Sequence, residues 1–175
     1  FINFIVGKGC ELAHAACQAV TAQLGKAYNP LFIYGGSGLG KTHLLQAVGN
    51  EVLRQDKKKK VVYATCEKFT NDFIHSVRSG QIKNFYDIYR KADLLLIDDI
   101  QFITGKAETQ EAFFNTFNDL HQQDKQIMIT SDRPPKAISL LENRLLSRVE
   151  MGMIADVAPP DFETRMAILQ TKCQE

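Results

Sequence analysis

The chain has 175 residues, 45% of them apolar and 23% charged, with a formal net charge of +1. That is the composition of one soluble globular domain of ordinary size, large enough to bury a proper core. No apolar run approaches the ~20 residues that span a bilayer and no signal peptide is visible, and the near-neutral charge excludes a globally basic nucleic-acid binder, so any DNA contact is local.

In chain order, Glu11–Leu24 carries apolar residues at Leu12, Ala15, Ala16, Ala19 and Val20, a helical spacing closed by Gly25. Leu31–Tyr34 reads as a short buried strand, and it runs into GGSGLGKT. Gly35, Gly40, Lys41 and Thr42 fit the spacing G-x-x-x-x-G-K-[ST] of a phosphate-binding loop. Glycines let backbone N–H groups turn inward around an anion. Lys41 supplies a cation for terminal phosphates, and Thr42 a hydroxyl for Mg²⁺. The helix HLLQAVGNEVLRQ follows, with Leu44, Leu45, Val48 and Val52 on one face. Its positive N-terminus points at the same phosphates. A strand before and a helix after separate a nucleotide site from a merely glycine-rich turn.

Lys57–Lys60 is a run of four lysines, read as a solvated turn with a DNA contact as the alternative. Val61–Thr65 is the second strand. Cys66–Asp93 then holds two helical patterns, FTNDFIHSVRSG and IKNFYDIYRKA, where a simple crossover carries one. Leu94–Asp98 is the third strand, and LLLIDD ends in two carboxylates beside the phosphate loop. Asp98 suits the metal, through water, and Asp99 suits polarising or orienting an attacking water.

A long helix over Ala107–Gln122 builds its core face from Phe113, Phe114, Phe117 and Leu120. Ile127–Ser131 is the fourth strand. Asp132, before Arg133-Pro134-Pro135, has two compatible readings: it caps a short helix, or it senses the terminal phosphate from a strand tip. Arg144 and Arg148 lie four apart on LENRLLSRVE. They form either a solvated face offset by Glu142 and Glu150, or a phosphate contact, including one made to a neighbouring subunit. Met153–Val157 is the fifth strand. Strands alternating with helices, with all-apolar strand runs, predict an α/β fold with a parallel sheet covered on both faces.

Cys10, Cys17, Cys66 and Cys173 are scattered without a C-x-x-C pair, which fits reduced, mostly buried thiols in the cytoplasm. The four histidines are equally scattered and receive no role. The sequence starts at Phe1 and stops inside a charged helical pattern, so a domain of a longer protein is expected.

Together, FINFIVG, AYNPLFIYGGSGLGKTHLLQAVGN, EKFTNDFI, LLLIDDIQFITGK, TSDRPP, ENRLLSR and APPDFETR resemble consecutive blocks of the AAA+ nucleotide-binding module of bacterial DnaA replication initiators. The resemblance covers nearly all of residues 1–175. It implies a P-loop NTPase of the AAA+ type with a five-stranded parallel sheet, ATP or ADP with Mg²⁺ at the strand tips, and ATP-dependent homo-oligomers on origin DNA. Residue by residue, Gly35, Gly36, Gly38, Leu39, Gly40, Lys41, Thr42 and His43 resemble the family's phosphate-holding loop, with Thr42 and Asp98 at the metal. Asp98 and Asp99 resemble the Walker B acids, and Asp132 the sensor-1 aspartate. Arg148 resembles the arginine finger, with Arg144 one turn earlier. Phe4, Ile5 and Gly7 resemble the segment that packs on adenine. Residues 66–93 match the family's two-helix initiator insertion, and Ile74, Lys106 and Thr109 fall where the family contacts single-stranded DNA.

Two residues depart from the pattern. Asp99 stands where many AAA+ ATPases carry glutamate, and its shorter arm implies slow hydrolysis, as suits a switch. Glu108 stands where the DNA-contacting loop is expected to be basic, which weakens phosphate contact. The helical lid and the duplex-reading helix-turn-helix domain of the family are not in this sequence. Two alternative readings are a regulatory paralogue that acts on the initiator or its clamp, and an ATPase that loads the replicative helicase.

Overall fold

The computed structural model describes Phe1 and residues 4–174; Ile2 and Asn3 of the FINFIVG block lie outside the described residues. The elements run α1 (Glu11–Ala22), β1 (Leu31–Tyr34), α2 (Lys41–Gln55), β2 (Val61–Thr65), α3 (Cys66–Arg78), α4 (Ile82–Arg90), β3 (Leu94–Asp98), α5 (Ala107–Gln122), β4 (Gln126–Ser131), α6 (Asn143–Glu150), β5 (Met153–Asp156) and α7 (Phe162–Gln174). Short 3₁₀ turns cover Ile100–Ile103 and Pro135–Ala137.

The five strands form one all-parallel sheet in the order β2-β3-β4-β1-β5. Successive side chains of a strand point to opposite faces, and the sheet splits the core accordingly. Leu31, Ile33, Leu94, Leu96 and Met128 meet α1 and α2 on one face. Phe32, Leu95, Ile97, Ile127 and Ile129 meet α3 to α6 on the other. Covering both faces explains why these strands read as mainly apolar runs, not as alternating ones.

The α3–α4 pair is fastened by rings. Phe69 packs edge-on against Phe85 at 5.1 Å, Tyr89 at 4.8 Å and Phe113 of α5 at 5.6 Å. Aromatic pairs of this geometry add about 0.5–1.5 kcal/mol each beyond their buried area. Tyr89 is buried, and its hydroxyl donates to Asp72 of α3 at 2.7 Å, which ties the two helices directly.

Parallel pairing sends every strand tip to the same edge. The register Ile97↔Ile129 makes Asp98 and Thr130 the next neighbours along β3 and β4, and Tyr34↔Ser131 brings the end of β1 alongside. None of the described helices is long and apolar enough to cross a membrane.

Candidate functional site

The loop between β1 and α2 turns on Gly40, whose φ of +92° lies in the left-handed region that side chains disfavour. Gly40 is the N-cap of α2, so Lys41 and Thr42 occupy the first helical turn, two residues earlier than the apolar face of the helix suggests. That turn carries backbone N–H groups without intrahelical partners, a ready anion site. Lys41 is buried, and its ammonium donates to the Gly36 carbonyl at 2.8 Å. The Gly35 N–H donates to Ser131 O at 3.2 Å, fastening the start of the loop to β4. A hollow of about 310 Å³ lies over Gly38–His43.

Asp98 ends β3 at only 3% exposure. A charge so deep needs hydrogen-bond partners, and three hydroxyls donate to it: Thr42 at 2.6 Å, Tyr63 at 3.1 Å, and Thr130. Thr130 also accepts the Asp99 N–H at 3.0 Å, so one buried hydroxyl serves both carboxylate residues. Asp99 itself takes a left-handed backbone, φ 58° and ψ 55°, uncommon for a residue with a side chain. Its carboxylate accepts from Gln101 Nε2 at 3.2 Å, and Gln101 Oε1 accepts from the Asp132 N–H at 3.3 Å.

Asp132 does not cap a helix. The 3₁₀ turn at Pro135 follows Pro134 and has no side-chain cap, because the two prolines set its entry by themselves. The Asp132 carboxylate instead takes two 2.7 Å bonds from Arg133. The Arg133 guanidinium holds it below the usual carboxylate range, and the Lys41 charge adds to the same effect.

A second cavity of about 330 Å³ opens beside the loop. Phe4, Ile5, Gly7, Gly9 and Cys10 form one wall, Gly38, Leu39, Gly40 and His43 another, and Val157, Ala158, Pro160, Thr164 and Ile168 the third. The Phe4 ring lies parallel to His14 at 5.8 Å and edge-on to His43 at 5.3 Å. A Cβ on Gly7 would stand 2.2 Å from Thr164 Oγ1, so the first and third walls meet there only because Gly7 has no side chain.

The structure thus brings Phe4, Ile5, Gly7, the loop, Asp98, Asp99 and Asp132 to one edge. Arg144 and Arg148 lie apart on α6. Both are exposed, with guanidinium carbons 4.7 and 5.9 Å from the Phe114 ring centre. Arg144 pairs with Glu142 at 2.6 Å, and within one chain it lines neither cavity. Ile74 is 39% exposed on α3, and Lys106 is exposed before α5. Thr109, expected at the same DNA contact, is buried, with 4% of its surface exposed. The next residue, Gln110, is also buried and holds the Leu140–Glu142 segment through Leu140 O and Glu142 N, whereas Ala107 and Glu108 before them are exposed.

Sequence reasoning missed Thr130, Gln101, Tyr63 and the α7 wall. Thr130 carried a signal, a polar residue inside the apolar run IMITS. The others carried none. Among the described residues no group of three or more His, Cys, Asp or Glu could hold a metal ion by itself.

The family model for the bacterial DnaA ATPase domain matches residues 1–156. Domain III of the Thermotoga maritima replication initiation protein DnaA superposes with a TM-score of 0.96 at 48% identity, over 99% of this chain and 72% of that one. AMPPCP-bound DnaA from Aquifex aeolicus superposes with a TM-score of 0.92 at 41% identity, over 99% of this chain and 53% of that one. A replication initiator DnaA bound to AMPPCP and single-stranded DNA gives the same values. The chain spans about half the length of these last two proteins.

Proposed function

The chain belongs to the bacterial DnaA ATPase family, and from that premise we propose that it is the ATP-binding switch module of a cytoplasmic chromosomal replication initiator. The observation that carries this reading is the 2.6 Å bond between the Thr42 hydroxyl and the Asp98 carboxylate, beside a cavity that the phosphate loop borders. Residues 1–175 act as the AAA+ module, and residues 66–93 as its initiator insertion.

Adenine enters the cavity between Phe4 and the α7 wall. The phosphates lie along Gly38–Thr42, where Lys41 leaves the Gly36 carbonyl to neutralise them. Thr42 and Asp98 offer one hydroxyl and one carboxylate, the protein share that Mg²⁺ takes when phosphates and water complete its shell. When bound, that ion would neutralise charge on the terminal phosphates. Asp99 orients the attacking water from its left-handed turn, and Asp132 reads the terminal phosphate beside Lys41. Asp99 reaches one methylene less far than glutamate, so hydrolysis is slow and the ATP state persists. Multiple turnovers per second by the purified protein would contradict this.

Arg148, exposed on α6, is free of the chain's own nucleotide site and serves a neighbouring subunit in an ATP-dependent homo-oligomer. Ile74 and Lys106 meet single-stranded origin DNA in that assembly, whereas duplex recognition belongs to a part of the longer protein. The test is single-strand binding by the full-length protein with ATP and with ADP. Tighter binding with ATP is expected, and equal binding with both nucleotides would remove the switch. A regulatory paralogue is the second reading, favoured by one residue: Glu108 is exposed in the first turn of α5 next to Lys106. Loss of single-strand binding in every nucleotide state, restored by Glu108→Lys, would support it.

A further inference from the structure

Gln101 lies two residues beyond the second of the two Walker B acids, in the 3₁₀ turn that follows them, and no part of the reading above uses it. Its side-chain amide spans the gap between the tips of β3 and β4. Oε1 accepts the Asp132 N–H at 3.3 Å, and Nε2 donates to Asp99 Oδ1 at 3.2 Å. The orientation of the amide is fixed by chemistry. A backbone N–H can only donate, so the oxygen must face Asp132, and the nitrogen is left to face a carboxylate that can only accept. Thr130 makes the parallel tie, from the Asp99 N–H to Asp98, but it touches the Asp99 backbone and not its carboxylate. Among the described residues, Gln101 makes the one side-chain bond given to the Asp99 carboxylate.

We infer that Gln101 is a positioning residue for hydrolysis, aiming the Asp99 carboxylate and coupling that aim to the backbone of Asp132. This rests on the reading of Asp99 as the acid that orients the attacking water. The consequence is directional. A shift of the β4 tip on contact with the terminal phosphate moves the Asp132 N–H, the amide follows, and Asp99 turns with it. Without the amide, Asp99 holds its left-handed backbone through Thr130, while its carboxylate swings about χ1 and χ2. Nucleotide binding does not use that carboxylate, so affinity and rate separate.

The experiment is single-turnover hydrolysis of Mg·ATP by the full-length protein, with nucleotide affinity measured in parallel by fluorescent-ATP titration. Gln101→Ala lowers the rate about tenfold, the effect of losing one hydrogen bond to a charged group, and leaves affinity within twofold. Gln101→Glu, the same size but with an oxygen facing Asp99, lowers the rate at least as far. The deciding comparison is made in an Asp99→Asn background. There Gln101→Ala causes no further loss, because a residue that acts through Asp99 has nothing left to position. A wild-type rate in both Gln101 variants, a matching loss of affinity, or a full extra tenfold loss on top of Asp99→Asn overturns the inference. A wild-type rate in Asp99→Asn alone overturns the reading of Asp99 and, with it, this coupling.

Discussion

Thr130→Val is the substitution whose cost can be worked most directly from the structure. Thr130 is fully buried, and valine has nearly its shape, so no cavity opens and the change isolates the hydroxyl. That hydroxyl donates to Asp98 and accepts the Asp99 N–H at 3.0 Å. Losing a bond to a buried carboxylate costs about 1.5–3 kcal/mol, and stranding a partly buried N–H costs about 1–3 kcal/mol. The two share one group and are not fully additive, so we expect a loss of about 3 kcal/mol. For a chain of this length each kcal/mol moves Tm by about 2–4 °C, which gives a fall of about 9 °C. Circular-dichroism melts of the wild type, Thr130→Val and Thr130→Ser supply the measurement. Serine keeps the hydroxyl, loses only a methyl group, and recovers most of the stability. A valine variant melting within 2 °C of the wild type would refute the claim that this hydroxyl holds the two carboxylate residues together.

Three other outcomes are expected. Lys41→Ala abolishes measurable ATP binding while leaving the fold intact, because the lysine's one described bond is to a loop carbonyl; nucleotide titration and a melt check both halves. Arg148→Ala leaves melting temperature and monomer nucleotide affinity unchanged, since the side chain is exposed, but removes ATP-dependent assembly in sedimentation; normal assembly would end its role as a finger. Burial pushes the Asp93 carboxyl up, but Lys125 at 2.6 Å and the Lys60 N–H at 2.9 Å outweigh it and hold it below the usual value. Its stabilisation is therefore present above about pH 4 and lost as pH falls through the lower folded-state value. Asp93→Asn flattens that acid limb in urea titrations across pH, and an unchanged limb would show that Asp93 does not set it.

The strands were legible because each is built around a short apolar run; β2 and β3 fall where the side chains predict them. Lys41 and Thr42 were legible as ligands of phosphate but not as helical residues, since helix α2 begins on a left-handed glycine and not on its own apolar stripe. The burial of Thr109 was not legible because a threonine in a polar helix start looks solvated, and the bonds of its neighbour Gln110 to the Leu140–Glu142 segment come from 30 residues or more along the chain. The Gln101 link joins residues 31 apart along the chain through one amide, a contact that no local pattern encodes. The α7 wall was hidden for a different reason. Phe162, Met166 and Leu169 are exposed while Ile168 faces the cavity, so its apolar residues mark no single face.

The cavity between Gly7 and Thr164 has a consequence for how the whole chain melts. Two of its walls come from opposite ends of the chain, around Gly7 and around Thr164, and they converge on the same hole. A molecule that fills it acts as a removable clasp, closing in the folded state a loop that is very long in the unfolded one. Saturation to 100 times Kd then adds about 2.7 kcal/mol to global stability, whatever the chemistry at the phosphates. Occupancy of this hole can therefore be read from the outside, as a rise in melting temperature that follows nucleotide concentration.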